Sequence, residues 1–333
     1  MNNTPHIALL CNSRMAIPAL QTMIRRGVLR GICTSDKNPE VAVILNSIAT
    51  QHNIPFKKLS YRTYKEDLAQ WLGELQPDIV FVMTFAWRIP MHILSIPAMG
   101  FLNFHYGLLP EMRGADPIFE SIRQCKQVAG TTVHVMDEDF DTGAIIAREE
   151  LQLSPEFTYG MLSSQLSRLG DKMCTQIIND LQQGKDLPGT AQNESTATYW
   201  PRLPADSLFI NWEELSSREI KALVKACNPI IKGTPTIING WTIGICEVME
   251  ITLTGDTSGI MPGQIICADA QNGLLVFCRD GIALKLEVIY SEEGVMPGHK
   301  LSMFGITPGM RFSLPQVPNN SIKTFLPQYI LSV

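Results

Sequence analysis

No two cysteines in this chain are spaced C-x-x-C, and no histidine stands at metal-ligand spacing from one. The eight cysteines lie scattered at 11, 33, 125, 174, 227, 246, 267 and 278, so they are expected as buried, reduced, small hydrophobes and no metal is expected. No run of about 18 apolar residues occurs, which excludes a membrane-spanning helix and a membrane partner of that kind. The opening Met-Asn-Asn-Thr-Pro-His has no basic stretch ahead of its apolar run; it does not read as a secretory signal, and a cytoplasmic location is expected. No G-x-G-x-x-G follows the first apolar run, which disfavours NAD or a flavin. Positive charge is scarce too. With 27 Lys and Arg against 32 Asp and Glu, the net charge of −5 argues against broad nucleic-acid binding, although a small basic patch stays open.

What remains is ordinary globular material, 45% hydrophobic and 18% charged over 333 residues, enough for about two domains. Its first half alternates short apolar runs with amphipathic stretches. Strands are expected at Ile7–Cys11, Leu29–Cys33 and Ile79–Met83, the last of them central, with helices at Ala16–Arg26, Val41–His52 and Tyr64–Leu75. Such alternation gives an α/β, Rossmann-like, mostly parallel sheet with flanking helices. Thr84 to Pro90 occupies the carboxyl end of a strand, where open α/β sheets bind ligands; Phe85 and Trp87 there suit either a ligand wall or loop-anchoring packing.

The stretch from Phe101 to Ile145 carries the chemistry. Asn103 and His105 stand two residues apart, so on a strand they share a face. After a turn, a helix from Pro117 and a strand at Gly130–Met136 comes the acidic, Gly-terminated loop Asp137-Glu138-Asp139-Phe140-Asp141-Thr142-Gly143, able to bring a carboxylate beside the imidazole. An amide, an imidazole and a carboxylate suit acyl-group transfer. His134, in mid-strand, is expected as a hydrogen-bonded packing residue. Asn103-Phe-His105, Leu108-Leu109-Pro110-x-x-Arg113-Gly114-x-x-Pro117 and Asp141-Thr142-Gly143-x-Ile145, in this order and spacing, resemble the signature of the folate-dependent formyltransferases. The resemblance implies a 10-formyltetrahydrofolate donor, a primary-amine acceptor and Asn103, His105 and Asp141 as catalytic residues. It further implies a folate site at Phe85, Ala86, Trp87, Arg88, Ile89, Leu109, Pro110, Val135, Asp137, Asp139, Phe140 and Asp141. The chain departs from the family pattern at Gly107, where Ser is common, and at Ala144, where Asp is common.

A long amphipathic pattern from Thr158 to Leu181 is expected as a packing helix, and the polar stretch from Gln182 to Pro204 as a linker. Turn pairs at Asn239-Gly240, Pro262-Gly263, Gln271-Asn272-Gly273 and Asp280-Gly281 then indicate hairpins of a small, open, five-stranded, OB-like β-barrel. The expected division is a catalytic domain over 1–190, a linker over 191–207 and the barrel over 208–333. Residues 204–333 hold nine Lys and Arg against twelve Asp and Glu, and the loop Thr34–Glu40 is short with one cation, where the resemblance implies a longer basic insertion in enzymes that grip tRNA. A small acceptor, such as an amino-sugar nucleotide or an amino acid, is therefore expected. Initiator methionyl-tRNA is the alternative acceptor, and a hydrolase passing the formyl group to water with the same three side chains is the alternative reaction. No feature selects an oligomeric state.

Overall fold

A computed structural model describes residues 4–315. The elements run β1 (Ile7–Cys11), α1 (Ile17–Arg25), β2 (Leu29–Ser35), α2 (Pro39–Gln51), β3 (Phe56–Leu59), α3 (Tyr64–Leu75), β4 (Ile79–Met83), α4 (Met91–Leu94), β5 (Phe101–His105), β6 (Arg113–Gly114), α5 (Pro117–Arg123), β7 (Val128–Val135), β8 (Ile145–Gln152), α6 (Tyr159–Gln182) and β9 (Tyr199–Trp200). Then follow α7 (Ser217–Cys227), β10 (Thr234–Ile238), β11 (Trp241–Ile251), β12 (Ile265–Asp269), β13 (Gly273–Phe277), β14 (Ala283–Ser291) and β15 (Gly294–Pro297). Among the described residues no helix is long and apolar enough to cross a membrane. They form two compact units, the first built from 4–117, 128–153 and 162–201, the second from 118–127, 154–161 and 202–315.

The first unit is centred on a seven-stranded sheet in the order β3-β2-β1-β4-β5-β7-β8, parallel except at its last two pairings. Strands buried on both faces need apolar side chains in both directions, which is why β1 and β4 read as unbroken apolar runs. Alternate residues go to opposite faces. Ile7, Leu9, Phe81 and Met83 pack with Leu20, Leu45, Met173 and Ile177 from α1, α2 and α6, while Ala8, Leu10, Val80 and Val82 pack with Leu68, Trp71, Leu72 and Ile93 from α3 and α4. β4 is the middle strand, as its composition indicates. The antiparallel pair of β5 and β7 positions the candidate residues: its register sets Asn103 opposite His134 and His105 opposite Thr132.

In the second unit Ser216 and Glu219 form a reciprocal capping box that starts α7. A sheet follows in the order β10-β11-β14-β13-β12, with β15 also paired to β14, so there are six strands where five were expected. Asn239 and Gly240, at φ of 50° and 79°, make the tight turn between β10 and β11. Pro262-Gly263 does not form a hairpin: it lies on the connection from β11 to β12, which pair with β14 and β13 respectively. Turn residues show that the chain reverses there; they do not show which strands then pair. Residues 310–313 close the sheet into a barrel. Ser313 exchanges two backbone bonds with Ile237 of β10, at 2.9 and 3.2 Å, and Phe312 and Met310 bond Gly263 and Ile265 at the other edge, at 2.9 and 2.8 Å.

Candidate active site

The carboxyl ends of β4 and β5 lie side by side, Val82 opposite Asn103, and β7 runs back along β5. Period-two geometry therefore puts Asn103, His105, Thr132 and His134 on one face. His105 is buried, and its Nε2 stands 2.7 Å from the Met112 carbonyl, to which it donates. Its Nδ1 stands 3.4 Å from Asp141 Oδ1. The loop after β7 thus delivers the carboxylate to the imidazole from far along the chain.

Asn103 reaches the pair through His134. The Nδ1 of His134 lies 2.9 Å from the Val135 carbonyl and donates to it, which leaves Nε2 bare to accept from Asn103 Nδ2 at 3.0 Å. Burial, and then the neighbouring His105, lower the His134 pKa from its ordinary value of 6.5 and keep the ring neutral, as an acceptor must be. His134 Nε2 is also 3.8 Å from Asp141 Oδ1, so the carboxylate stands between two imidazoles. One amide hydrogen of Asn103 is engaged in this way.

Asp141 sits at φ 61°, in the left-handed region that a non-glycine residue enters at a cost. Its Oδ2 accepts the Gly114 N–H at 3.0 Å. Thr142 Oγ1 donates to Asp137 at 2.6 Å, pinning the loop from inside. Thr132 fixes the opposite wall, donating to the Gly107 carbonyl at 2.8 Å and accepting the Leu109 N–H at 3.1 Å. A Cβ on Gly107 would meet Pro117 Cβ at 2.6 Å and His105 Nε2 at 2.9 Å, so the absence of a side chain there is a packing requirement. Ala144 is matched by a small partner, since a Cβ on Gly189 would approach its methyl to 2.7 Å.

The residues expected to hold folate fall into three groups. Trp87 and Ile89 are buried; Trp87 packs against Tyr64 and Phe85, with centroids at 4.8 and 5.7 Å, so these side chains anchor the loop. Phe85 is half-buried, while Ala86 and Arg88 are exposed. Arg88 ties this loop to the acidic one, donating to the Glu138 carbonyl and to Asp139 at 3.2 Å. Leu109 and Pro110 are buried in the wall: Arg148 donates to the Leu109 carbonyl and the Thr198 N–H to that of Pro110. Val135 is bound to the Ala144 carbonyl, and Asp137, Asp139 and the exposed Phe140 line the loop that ends at Asp141. A cavity of about 210 Å³ opens beside Arg88, lined by Tyr64, Lys65, Ile89, Pro90 and Glu138 among others. The indole N–H of Trp87 is buried without an acceptor among the described residues.

The formyltransferase model ("Formyl transferase") matches residues 27–178. Methionyl-tRNA formyltransferase of Marinobacter nauticus is 31% identical over 274 residues, covering 80% of this chain and 85% of the relative. The chain belongs to the formyltransferase family. A second relative, methionyl-tRNA formyltransferase of Carboxydothermus hydrogenoformans, is 34% identical over 213 residues, 64% of this chain and 67% of the relative. Among solved structures, the N-formyltransferase from Helicobacter canadensis, in complex with folinic acid and dTDP-3-aminofucose, shares the fold at a TM-score of 0.62 and 17% identity, over 84% of this chain and 98% of that one. For this formyltransferase the surroundings that bring His105 and Asp141 together also include Thr132, Gly114 and Gln192, which hold the site's walls. Gly114 stands in the family signature and Thr132 in step with His134 on one strand face, whereas nothing in the sequence marks Gln192.

Proposed function

We propose that the enzyme transfers the formyl group of 10-formyltetrahydrofolate to the primary amine of a small molecule. The observation that carries the proposal is the contact of His105 with Asp141 beside the amide of Asn103 on one sheet face. The folate supplies a formyl carbon bonded to N10. The amine nitrogen bonds to that carbon, the bond from carbon to N10 breaks, N10 takes up a proton and the amine gives one up. Asn103 donates its second amide hydrogen to the formyl oxygen as charge builds there, and one such donor contributes roughly 3 kcal/mol. Asp141 receives the amine's proton, directly or through water, and His105, held by the Met112 carbonyl at one nitrogen and facing Asp141 with the other, orients that carboxylate. Both substrates are held against rigid strand ends, which supplies orientation. A folate site over the loops at 85–89 and 137–141 is supported by their junction through Arg88, by the cavity beside it and by the unpaired Trp87 N–H.

A small acceptor is supported by the connection from β2 to α2, only the three residues Asp36–Asn38, and by the acidic balance of residues 204–333. The tRNA acceptor is the second reading, favoured by the relatives named above. Tetrahydrofolate production is measured with initiator methionyl-tRNA in one tube and amino-sugar nucleotides and amino acids in others. Turnover with a small amine is the expected result; turnover with the tRNA alone overturns the small-acceptor reading, and formate release without any amine identifies a hydrolase. His105→Ala and Asp141→Asn each lower kcat by about 10²-fold or more with an unchanged circular dichroism spectrum, and near-native activity in either removes the mechanism.

A further inference from the structure

The polar stretch after α6 is stitched into the active site. Thr190 exchanges two backbone bonds with Ile145, both 2.8 Å. Two residues on, Gln192 Nε2 donates to the carbonyls of Asp141 and Gly143, at 2.8 Å each, and so spans Thr142. The Oε1 of the same side chain accepts from Arg113 Nε and Nη2 at 3.1 and 2.9 Å. Glu194 takes the rest of that guanidinium, at 2.9 and 2.6 Å, and Arg113 is itself buried. Tyr199 and Trp200 then pair as β9 with Arg113 and Gly114, and Gly114 bonds Asp141 Oδ2.

Asp141 is thus held from several sides. Gln192 holds its carbonyl, Gly114 one carboxylate oxygen, and His105 faces the other. A residue at φ 61° has no local preference for that conformation, so its surroundings must impose it. We propose that Gln192, backed by Arg113 and Glu194, is a positioning residue for formyl transfer: the 190–200 segment is a clasp that sets the Asp141 carboxylate against His105. The proposal rests on the reading that Asp141 and His105 carry the transfer.

The test uses the full-length enzyme with 10-formyltetrahydrofolate, a dTDP-3-amino sugar as the amine and initiator methionyl-tRNA in parallel. Gln192→Ala is expected to lower kcat by about 10- to 100-fold, with KM for both substrates within about twofold. Gln192→Glu keeps the acceptor for Arg113 and removes the donor to the two carbonyls; it is expected to behave alike, and it serves if the alanine variant does not fold. In an Asp141→Asn background the same changes are expected to cost nothing further, because the clasp acts through Asp141. Independently of turnover, hydrogen exchange at the Gly114 amide is expected to quicken by about tenfold, its acceptor having been loosened. Unchanged kcat, a loss confined to KM, an equal further loss in the Asp141→Asn background, or unchanged Gly114 exchange overturns the clasp. Native activity of Asp141→Asn alone overturns instead the reading on which it rests.

Discussion

At the scale of single residues the site depends on a neutral histidine. His134 presents a bare Nε2 to Asn103 because its other nitrogen is committed to the Val135 carbonyl, and burial beside His105 holds its pKa below 6.5, with Asp141 pulling the other way and losing. In the unfolded chain that ring takes a proton more readily than in the folded one. Stability is therefore fully present above about pH 6.5 and declines as the pH falls from there towards the lower folded value. Thermal melts of wild type and His134→Gln between pH 7.5 and 5 are expected to show a steeper acid loss in the wild type; parallel curves would remove the neutral-histidine account. Strand alternation puts Asn103 and His105 on one face, and the acidic loop after β7 pointed to a carboxylate, but only the family resemblance singled out Asp141 from the loop's four acids. Gln192 was not legible. Its contacts to Asp141 and Gly143 span about fifty residues from within a polar stretch with no periodicity, and nothing local to the sequence marks such a contact.

Elements were legible where one physical pattern decided them. α3 and β4 occupy the residues expected, since an amphipathic period and an unbroken apolar run leave few alternatives. Elements decided by a distant partner were not. β6 and β9 are two residues each, and neither is a strand without the other. Their pairing depends on Gly114, which takes φ 122° and passes so close to the Trp200 carbonyl that a Cβ would overlap it. Gly114→Ala is expected to destabilise the fold by about 2 kcal/mol or more, from backbone strain and the broken pairing together. Urea denaturation checks this, and a midpoint equal to wild type would show that β6 and β9 part without cost. The hairpin misassigned at Pro262-Gly263 has the same origin: a loop can bend sharply and hand its strand to a neighbour other than the preceding one.

For the whole molecule, the two compact units do not follow the chain as two consecutive blocks. The second gathers 118–127 and 154–161 as well as 202–315. Lys225 of α7 donates to the Pro155 carbonyl at 2.6 Å and to Glu156 at 2.9 Å, and Gly160 has no room for a Cβ beside Pro229. Residues 202–333 expressed alone lack these partners and are expected to melt roughly 5 °C or more below the barrel transition of the full chain, read by calorimetry; an equal melting temperature would show that the borrowed stretches contribute nothing. The barrel's closure by residues 310–313 reaches further than its own stability. While that short segment is bonded to Ile237 of β10 and to Ile265 at the start of β12, those backbone groups are not offered to another copy for strand addition. Detaching it would leave those groups free to template an added strand, so a few bonds far along the chain from the candidate site also work against edge-to-edge association.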